Sequence, residues 1–410
     1  SGGLPTPGTG GSSTGGAPST ASSGGQPGSG GVTAMGTGGD SSSGGSAGGG
    51  AQPGTGGVAG AGGSAGGGGG GAQSATGGRG GAGGPGGTSE LIHYYGRWNV
   101  LPDRAVTVNS GSHVTAQFTG TAITARFDIS VNLASDMPTL AWQIDQEAWR
   151  EADMAATVTL GTGLAAGTHT VTVMARALDE NQSRWTPPLV SSITFLGFTV
   201  TGGTLQESPR PVRPKLEILG DSITEGVVVW SSHNGKSTQC WRNDGRIAYP
   251  TQTAQKLGAE WRQVGFGYLG ILKTGDGGVP KANDSFNWIY KNVPRDSWQA
   301  DMVVINEGTN DSAAAAATFR AGYATYLTTI RSAYPGARIA CMRPFNGAQA
   351  AQIKAEVDAR NAAGDTRVYY VDTTGWLGTG DFTDGLHPNA VGSGKAATAL
   401  AAAISKIGLP

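Results

Sequence analysis

Cysteine, histidine and charge are all scarce in this chain of 410 residues: it has two cysteines, five histidines and 14% charged residues. Cys240 and Cys341 match no metal-ligand spacing. They either pair across a loop of about 100 residues, worth about 4 kcal/mol in the loop-entropy model, or sit apart as two buried thiols. The net charge is −1 and no basic run stands out, which argues against nucleic acid as a partner. No apolar run approaches the roughly 20 residues of a transmembrane helix. No signal-peptide pattern is present and the chain opens on Ser1 rather than Met, as expected of a processed product.

Glycine is plentiful, and unevenly placed. Of 72 glycines, 40 fall in the first 88 residues, a tract with no aromatic ring and only Asp40 and Arg79 charged. Such a tract cannot bury enough apolar surface to offset chain entropy. Residues 1–88 are therefore expected to form a disordered linker, spanning roughly 50 Å r.m.s. as a random coil. Its composition suits a tether on a secreted or cell-surface protein that must search for a polymer.

Residues 89–205 change character. Val, Thr, Ile and Phe alternate with polar residues over Ala105–Val108, His113–Phe118, Ala122–Phe127, Thr139–Ile144, Thr157–Leu160, His169–Arg176 and Ser192–Val200. Short strands at this spacing predict an antiparallel sandwich or jelly roll. Its rings Tyr94, Tyr95, Trp98, Trp142 and Trp149 either form a carbohydrate-binding surface or, as favoured for Trp142, fill the core. Residues 206–214, rich in proline, read as a stiff connector.

In residues 215–410 the period changes again. Apolar runs at Leu216–Leu219, Arg262–Phe266, Met302–Ile305, Arg338–Met342 and Arg367–Val371 alternate with helical stretches near 247–257, 312–334, 348–363 and 390–406. That alternation predicts parallel βαβ units with helices on both faces, and ligands bind such sheets beyond the carboxyl ends of the strands.

Four segments fall at those ends: Gly220-Asp-Ser-Ile-Thr224, Gly265-Phe-Gly-Tyr-Leu-Gly270, Asn306-Glu-Gly-Thr-Asn-Asp311 and Asp384-Gly-Leu-His-Pro-Asn389. Acyl transfer needs a nucleophile, a base, a group to hold the base, and donors for an oxyanion. Ser222 supplies a hydroxyl and His387 a base, with Asp384 three residues earlier to hold it. The N–H of Ser222, an N–H from Gly265 or Gly267, and the amide of Asn310 supply donors. The other histidines, His93, His113, His169 and His233, read as structural or solvated.

These blocks, in this order, resemble the SGNH (GDSL-type) hydrolase superfamily over about residues 215–408. The resemblance implies a three-layer α/β/α fold with a five-stranded parallel sheet, the Ser222, Gly265, Asn310 and His387 set, and Asp384 completing a triad. A narrower likeness is to carbohydrate esterase family 2. It is carried by Tyr95-Gly-Arg-Trp98, Phe118-Thr-Gly-Thr121, Gly167-Thr-His-Thr-Val171 and Gly197-Phe-Thr-Val200, and by the run from Cys240 to Tyr249. That family joins a jelly roll to such a domain and removes acetyl groups from plant polysaccharides such as xylan and glucomannan, favouring the sugar 6-position. The chain departs from the family where Ser-Gly-Arg-Gly becomes Val264-Gly-Phe-Gly267, which leaves Gly265 preferred and Gly267 as alternate donor, and where Glu307 replaces a commoner Leu. Some members lack the triad acid and hold the histidine by a backbone carbonyl; this chain retains Asp384.

The combined expectation is a monomeric serine esterase acting on acetylated polysaccharide or oligosaccharide without metal or organic cofactor. Asp221 and Trp376 are candidates for substrate contact, though Trp376 reads equally as a packing ring. The alternatives are a lipid or aryl esterase with the same catalytic residues, and a polysaccharide-binding protein whose α/β domain is passive. If residues 1–88 are only a tether, deleting them should leave turnover of a small soluble ester unchanged; a large drop would refute the tether reading.

Overall fold

Residue alternation in five strands organises the larger half of the molecule. The computed structural model describes residues 89–409; the linker expected over 1–88 lies outside the described residues. The strands are β1 (Lys215–Gly220), β2 (Glu260–Gly265), β3 (Met302–Asn306), β4 (Arg338–Met342) and β5 (Val368–Val371), all parallel, in the order β2-β1-β3-β4-β5. Each lies within about two residues of its sequence-based bounds, because a fully buried parallel strand is a nearly continuous apolar run.

The helices that carry the serine or cover the sheet are α1 (Ser222–Glu225), α2 (Tyr249–Leu257), α3 (Ala316–Ala333), α4 (Ala350–Ala362) and α5 (Ala390–Ile407); two single turns, Gln239–Arg242 and Ala282–Ser285, lie in the connections. Leu216, Ile218, Met302, Val304, Ala340 and Met342 point to one face and pack with Tyr249 and Ala254 of α2 and Leu400 and Ile404 of α5. Leu219, Val303, Ile305, Ile339 and Cys341 point to the other, against Phe319, Tyr323 and Leu327 of α3 and Ile353 and Val357 of α4. The period-two alternation of a strand thus makes three layers. The chain runs from β1 outward to β2, then back across to β3. The carboxyl ends of β1 and β3 therefore form the switch point where such sheets place their ligands.

Residues 93–206 form two antiparallel sheets. One is built on His113–Thr119, Thr168–Ala177, Thr139–Ile144 and Arg150–Asp153, the other on Ala105–Thr107, Ile193–Thr201, Ala122–Phe127 and Thr157–Thr162. Their facing side chains, among them Phe118, Ile123, Leu140, Trp142, Leu160 and Phe195, make one core. Of the two alternatives for the sandwich rings, core packing holds for three. Tyr95, Trp98 and Trp142 are buried, Tyr94 packs edge-on to Trp98, and Trp149 lies against the α2/α5 core. The connector is no free hinge, since Ser208–Pro209 pairs with Ser89–Glu90 and Arg210 bonds Glu260 at 3.0 Å.

The two halves are joined by arginines that leave the sandwich and bury themselves among α/β residues. Arg97 pairs with Glu217 of β1 at 3.0 Å, and the Tyr334 hydroxyl donates to the same carboxylate at 2.6 Å. Arg176 pairs with Asp244 at 3.2 Å and donates to the Cys240 carbonyl at 3.1 Å. Arg184 forms a two-pronged pair with Glu225 of α1, the second prong at 2.8 Å. Each guanidinium also lies over a ring of the α/β half: Phe286, Trp241 and Phe266, at 5.3, 5.2 and 5.0 Å respectively. Burial alone would raise the Glu217 carboxyl, but Arg97 and Arg262 outweigh it and hold the group below its ordinary value.

Cys341 faces the α3/α4 layer, while Cys240 is packed on the sandwich beside Asp136. Both are buried and free, so the disulfide alternative falls.

Removing one partner of a buried pair strands the other charge at about 3–5 kcal/mol. Arg184→Ala should therefore lower the unfolding free energy of the full chain by about that much, read by denaturant melts. Arg104→Ala, which breaks an exposed pair with Asp103, should have a far smaller effect, because solvent screens such a pair. Equal, small effects for both would show that the arginine does not hold the halves together.

Candidate active site

β1 ends at Gly220, and the next residue starts a helix of one turn. Asp221 occupies its N-cap, with Oδ1 accepting from the Ile223 N–H at 2.9 Å. This places Ser222 at the first helical position, directly over the switch point, with its own N–H unspent among the described backbone hydrogen bonds.

His387 arrives from the far end of the chain. It follows a turn in which Asp384 Oδ1 accepts the N–H groups of Leu386 at 3.1 Å and His387 at 2.8 Å. Two residues later Asn389 caps α5, its side chain accepting from the Gly392 N–H at 2.9 Å. Thr383 donates to the Val229 carbonyl at 3.2 Å, tying the turn to the segment behind the serine. The imidazole is thus fixed at both ends. His387 Nε2 lies 2.9 Å from Ser222 Oγ, and Nδ1 lies 2.8 Å from Asp384 Oδ2. No backbone carbonyl bonds the ring among the described contacts. Burial raises the Asp384 carboxyl, but the His387 N–H and ring outweigh it and hold the group below its ordinary value. Asp384 is therefore ionised across the neutral range and favours the tautomer with the proton on Nδ1, which leaves Nε2 free to accept the serine proton.

The loops after β2 and β3 close the opposite side. Asn310 donates to the Leu269 carbonyl at 2.8 Å, and its amide lies 3.5 Å from Asp221 Oδ2. Asp311 accepts from Ile271 at 2.8 Å and Leu272 at 3.0 Å, binding the two loops together.

Two sequence expectations change here. Gly265 was preferred as an oxyanion donor, but it is the last residue of β2. The neighbouring Phe266 N–H turns toward β1, 3.3 Å from the Gly220 carbonyl. Neighbouring N–H groups on a strand point to opposite sides, so the Gly265 N–H points away from β1. Gly265 is needed for close approach instead: a Cβ there would stand 2.4 Å from the Glu225 nitrogen and 2.8 Å from the Asp221 carbonyl. The unspent N–H groups of this loop are those of Gly267, the alternate, and Tyr268. Tyr268 takes a left-handed φ of 59° in the turn closed by Leu269 N–H to Phe266 O, with its ring exposed.

Asp221 was expected at the substrate but is fully buried beneath the serine. Burial pushes its carboxyl up to about 6 against the pull of the Ile223 N–H. It braces the turn from below. An aspartate just ahead of a helix start is a capping signal, and that reading was open in the sequence. Trp376 is half-buried on the α2/α5 core, as are Leu386 and Phe345.

Other supports had no sequence signal. The Tyr249 hydroxyl bonds Thr224 at 2.8 Å and Asn306 at 3.2 Å, clamping the serine helix to β3. Glu307 is buried beside Asp221 and Asp311 without a hydrogen-bond partner, and burial with those charges raises it well above its ordinary value. The remaining histidines are structural. His93 bonds Ser208 at 3.0 Å, His113 bonds the Gly111 carbonyl at 3.1 Å, His169 bonds Asp145 at 2.9 Å, and His233 bonds Glu151 at 2.7 Å.

Comparison with known proteins gives the same division of the chain. Residues 218–395 match the GDSL-like lipase/acylhydrolase family, and residues 94–209 match the carbohydrate esterase 2 N-terminal family. The cellulase/esterase CelE of Acetivibrio thermocellus is 28% identical over 252 residues, covering 57% of this chain and 29% of its own length. An acetylxylan esterase/glucomannan deacetylase of Cellvibrio japonicus is 26% identical over 199 residues, covering 44% of this chain and 54% of its own. The chain thus spans about a third to a half of the curated relatives it matches. A family two carbohydrate esterase from Clostridium thermocellum, solved in complex with cellohexaose, superposes with a TM-score of 0.65 at 25% identity, over 78% of this chain and 100% of that one. Each half of the described chain thus matches a family model of its own, in the order in which the two folds follow one another.

Proposed function

We propose that the protein is a serine esterase that removes O-acetyl groups from carbohydrates through an acetyl-enzyme. The observation that carries this reading is the Asp384–His387–Ser222 relay, with links of 2.8 and 2.9 Å. His387 Nε2 takes the proton as Ser222 Oγ attacks the ester carbonyl. The oxyanion meets the Ser222 N–H, an N–H from Gly267 or Tyr268, and the Asn310 amide proton left weakly engaged at 3.5 Å from Asp221. The tetrahedral intermediate collapses as His387 returns the proton to the departing sugar hydroxyl. Water, deprotonated by the same imidazole, then releases acetate and restores the serine.

The polysaccharide class comes from the relatives, one of them named for acetylxylan and glucomannan. Glucomannan, at the 6-position of its hexoses, is the favoured substrate proposed for this chain, with xylan, whose xylose units carry no 6-hydroxyl, as the other. We also propose that it acts as a monomer and is secreted or surface-tethered through the glycine-rich tract of residues 1–88.

Acetate release from acetylated xylan and glucomannan, compared with fatty-acid release from long-chain esters, tests the substrate class; faster release of fatty acid would overturn it. Ser222→Ala should abolish both turnover of p-nitrophenyl acetate and labelling by a fluorophosphonate, and near-normal turnover would refute the nucleophile. Asn310→Ala should lower kcat by about 10²–10³ if the amide serves the oxyanion. Asp384→Asn should lower kcat by about 10³–10⁴, since no carbonyl stands in to hold the ring. A loss under about tenfold would show that something else orients His387.

A further inference from the structure

The sandwich loop after Ala177 carries a second carboxyl group to the edge of the site. Arg184 of this loop is spent on Glu225, but Glu180 has no cationic partner. Its Oε1 accepts from Gln239 Nε2 at 2.6 Å. Its Oε2 has no hydrogen-bond partner, yet is not among the sealed orphan atoms, so it is open to solvent. That oxygen stands against Gly267: a Cβ at residue 267 would lie 2.0 Å from Oε2 and 2.8 Å from the Glu180 Cβ. Gly267 is therefore the seat for a side chain delivered by the other half of the molecule. It also lies in the loop that borders Ser222 and is bonded by Asn310 through Leu269.

We propose that Glu180 is a specificity-determining residue that hydrogen-bonds a hydroxyl of the sugar bearing the scissile ester. The proposal rests on the deacetylase reading above and names one residue that selects the leaving group. A structural role alone does not explain a carboxyl here. A glutamine would make the same bond to Gln239 without burying an ionisable group. Burial first, and then the Glu225 charge, push Glu180 up to about 8; Arg184 opposes this, while Asp276 and Asp179 add to it. Below that value the group is a neutral acid with one O–H donor and one carbonyl acceptor, the complement of a sugar hydroxyl, which both accepts and donates. Above it the donor is lost, and an ionised carboxylate can only accept. Perturbed groups beside a catalytic centre are functional candidates, and this one meets the substrate from a domain that contributes nothing to the relay.

The test uses the full chain with two substrates, acetylated glucomannan oligosaccharide and p-nitrophenyl acetate, each followed from pH 6 to 9.5. For Glu180→Ala, the ratio of kcat/KM on the oligosaccharide to that on p-nitrophenyl acetate should fall about three- to tenfold, the worth of one neutral hydrogen bond, mainly through KM. For wild type this ratio should decline as pH rises through about 8. Glu180→Gln should restore most of the ratio and flatten the decline, because its amide does not titrate. Equal losses on both substrates, or an unchanged ratio in Glu180→Ala, would overturn the proposal and leave the esterase reading standing. A wild type that cleaves p-nitrophenyl acetate but releases no acetate from the oligosaccharide would overturn the deacetylase reading and this inference together.

Discussion

Three guanidinium groups sunk across the seam between the halves are the constraint on which the rest of this molecule depends. Arg97, Arg176 and Arg184 are fully buried, and each meets a carboxylate and a ring on the far side. Burying a charge is tolerable only when it is paired, and each guanidinium keeps its pair although one nitrogen of each has no hydrogen-bond partner. The partners Glu217, Asp244 and Glu225 are therefore as dependent on the sandwich as the sandwich is on them. Glu217 lies within the interior strand β1, and Glu225 is the last residue of the helix that begins with Ser222. The β-rich half is thus part of the structural foundation of the nucleophile. This fits the inward packing of its rings Tyr95, Trp98 and Trp142.

The site itself is assembled from short, heavily bonded turns. Asp221 holds the serine turn from beneath, Asp384 gathers two N–H groups and a ring, and Asp311 ties the loop after β3 to the loop after β2. One carboxylate in each turn spends its oxygens on local N–H groups, which fixes the backbone before any substrate arrives. Such fixed geometry is what lets donors stabilise developing charge without reorganising. Tyr268 at the rim and Val228 behind the serine helix both take left-handed conformations, at φ 59° and 51°.

Much of this was readable from the chain. The five parallel strands and four longer helices sit close to their expected bounds, since continuous apolar runs and helical periods report burial directly. Ser222 and Asn310 could be named because each lies in a short polar block just past a strand end, and Asp384 and His387 because theirs opens the final helix. Gly265 and Asp221 were assigned roles that packing reversed. Both errors arose because a residue type fits several jobs: a glycine can donate an N–H or admit a neighbouring backbone, and an aspartate can touch a ligand or cap a helix.

Periodicity and local blocks determined the layers and which segments carry the candidate residues Ser222, Asp384 and His387, because those depend on residues near one another in sequence. Only the folded chain decided which N–H groups face the serine, that the two cysteines never meet, and that Arg184 and Glu180 reach across from the sandwich. Those are contacts between residues tens of positions apart, as Arg184 and Glu225 are by 41 and Glu217 and Arg97 by 120. No local pattern encodes such a pairing, because its energy exists only once both surfaces have left water.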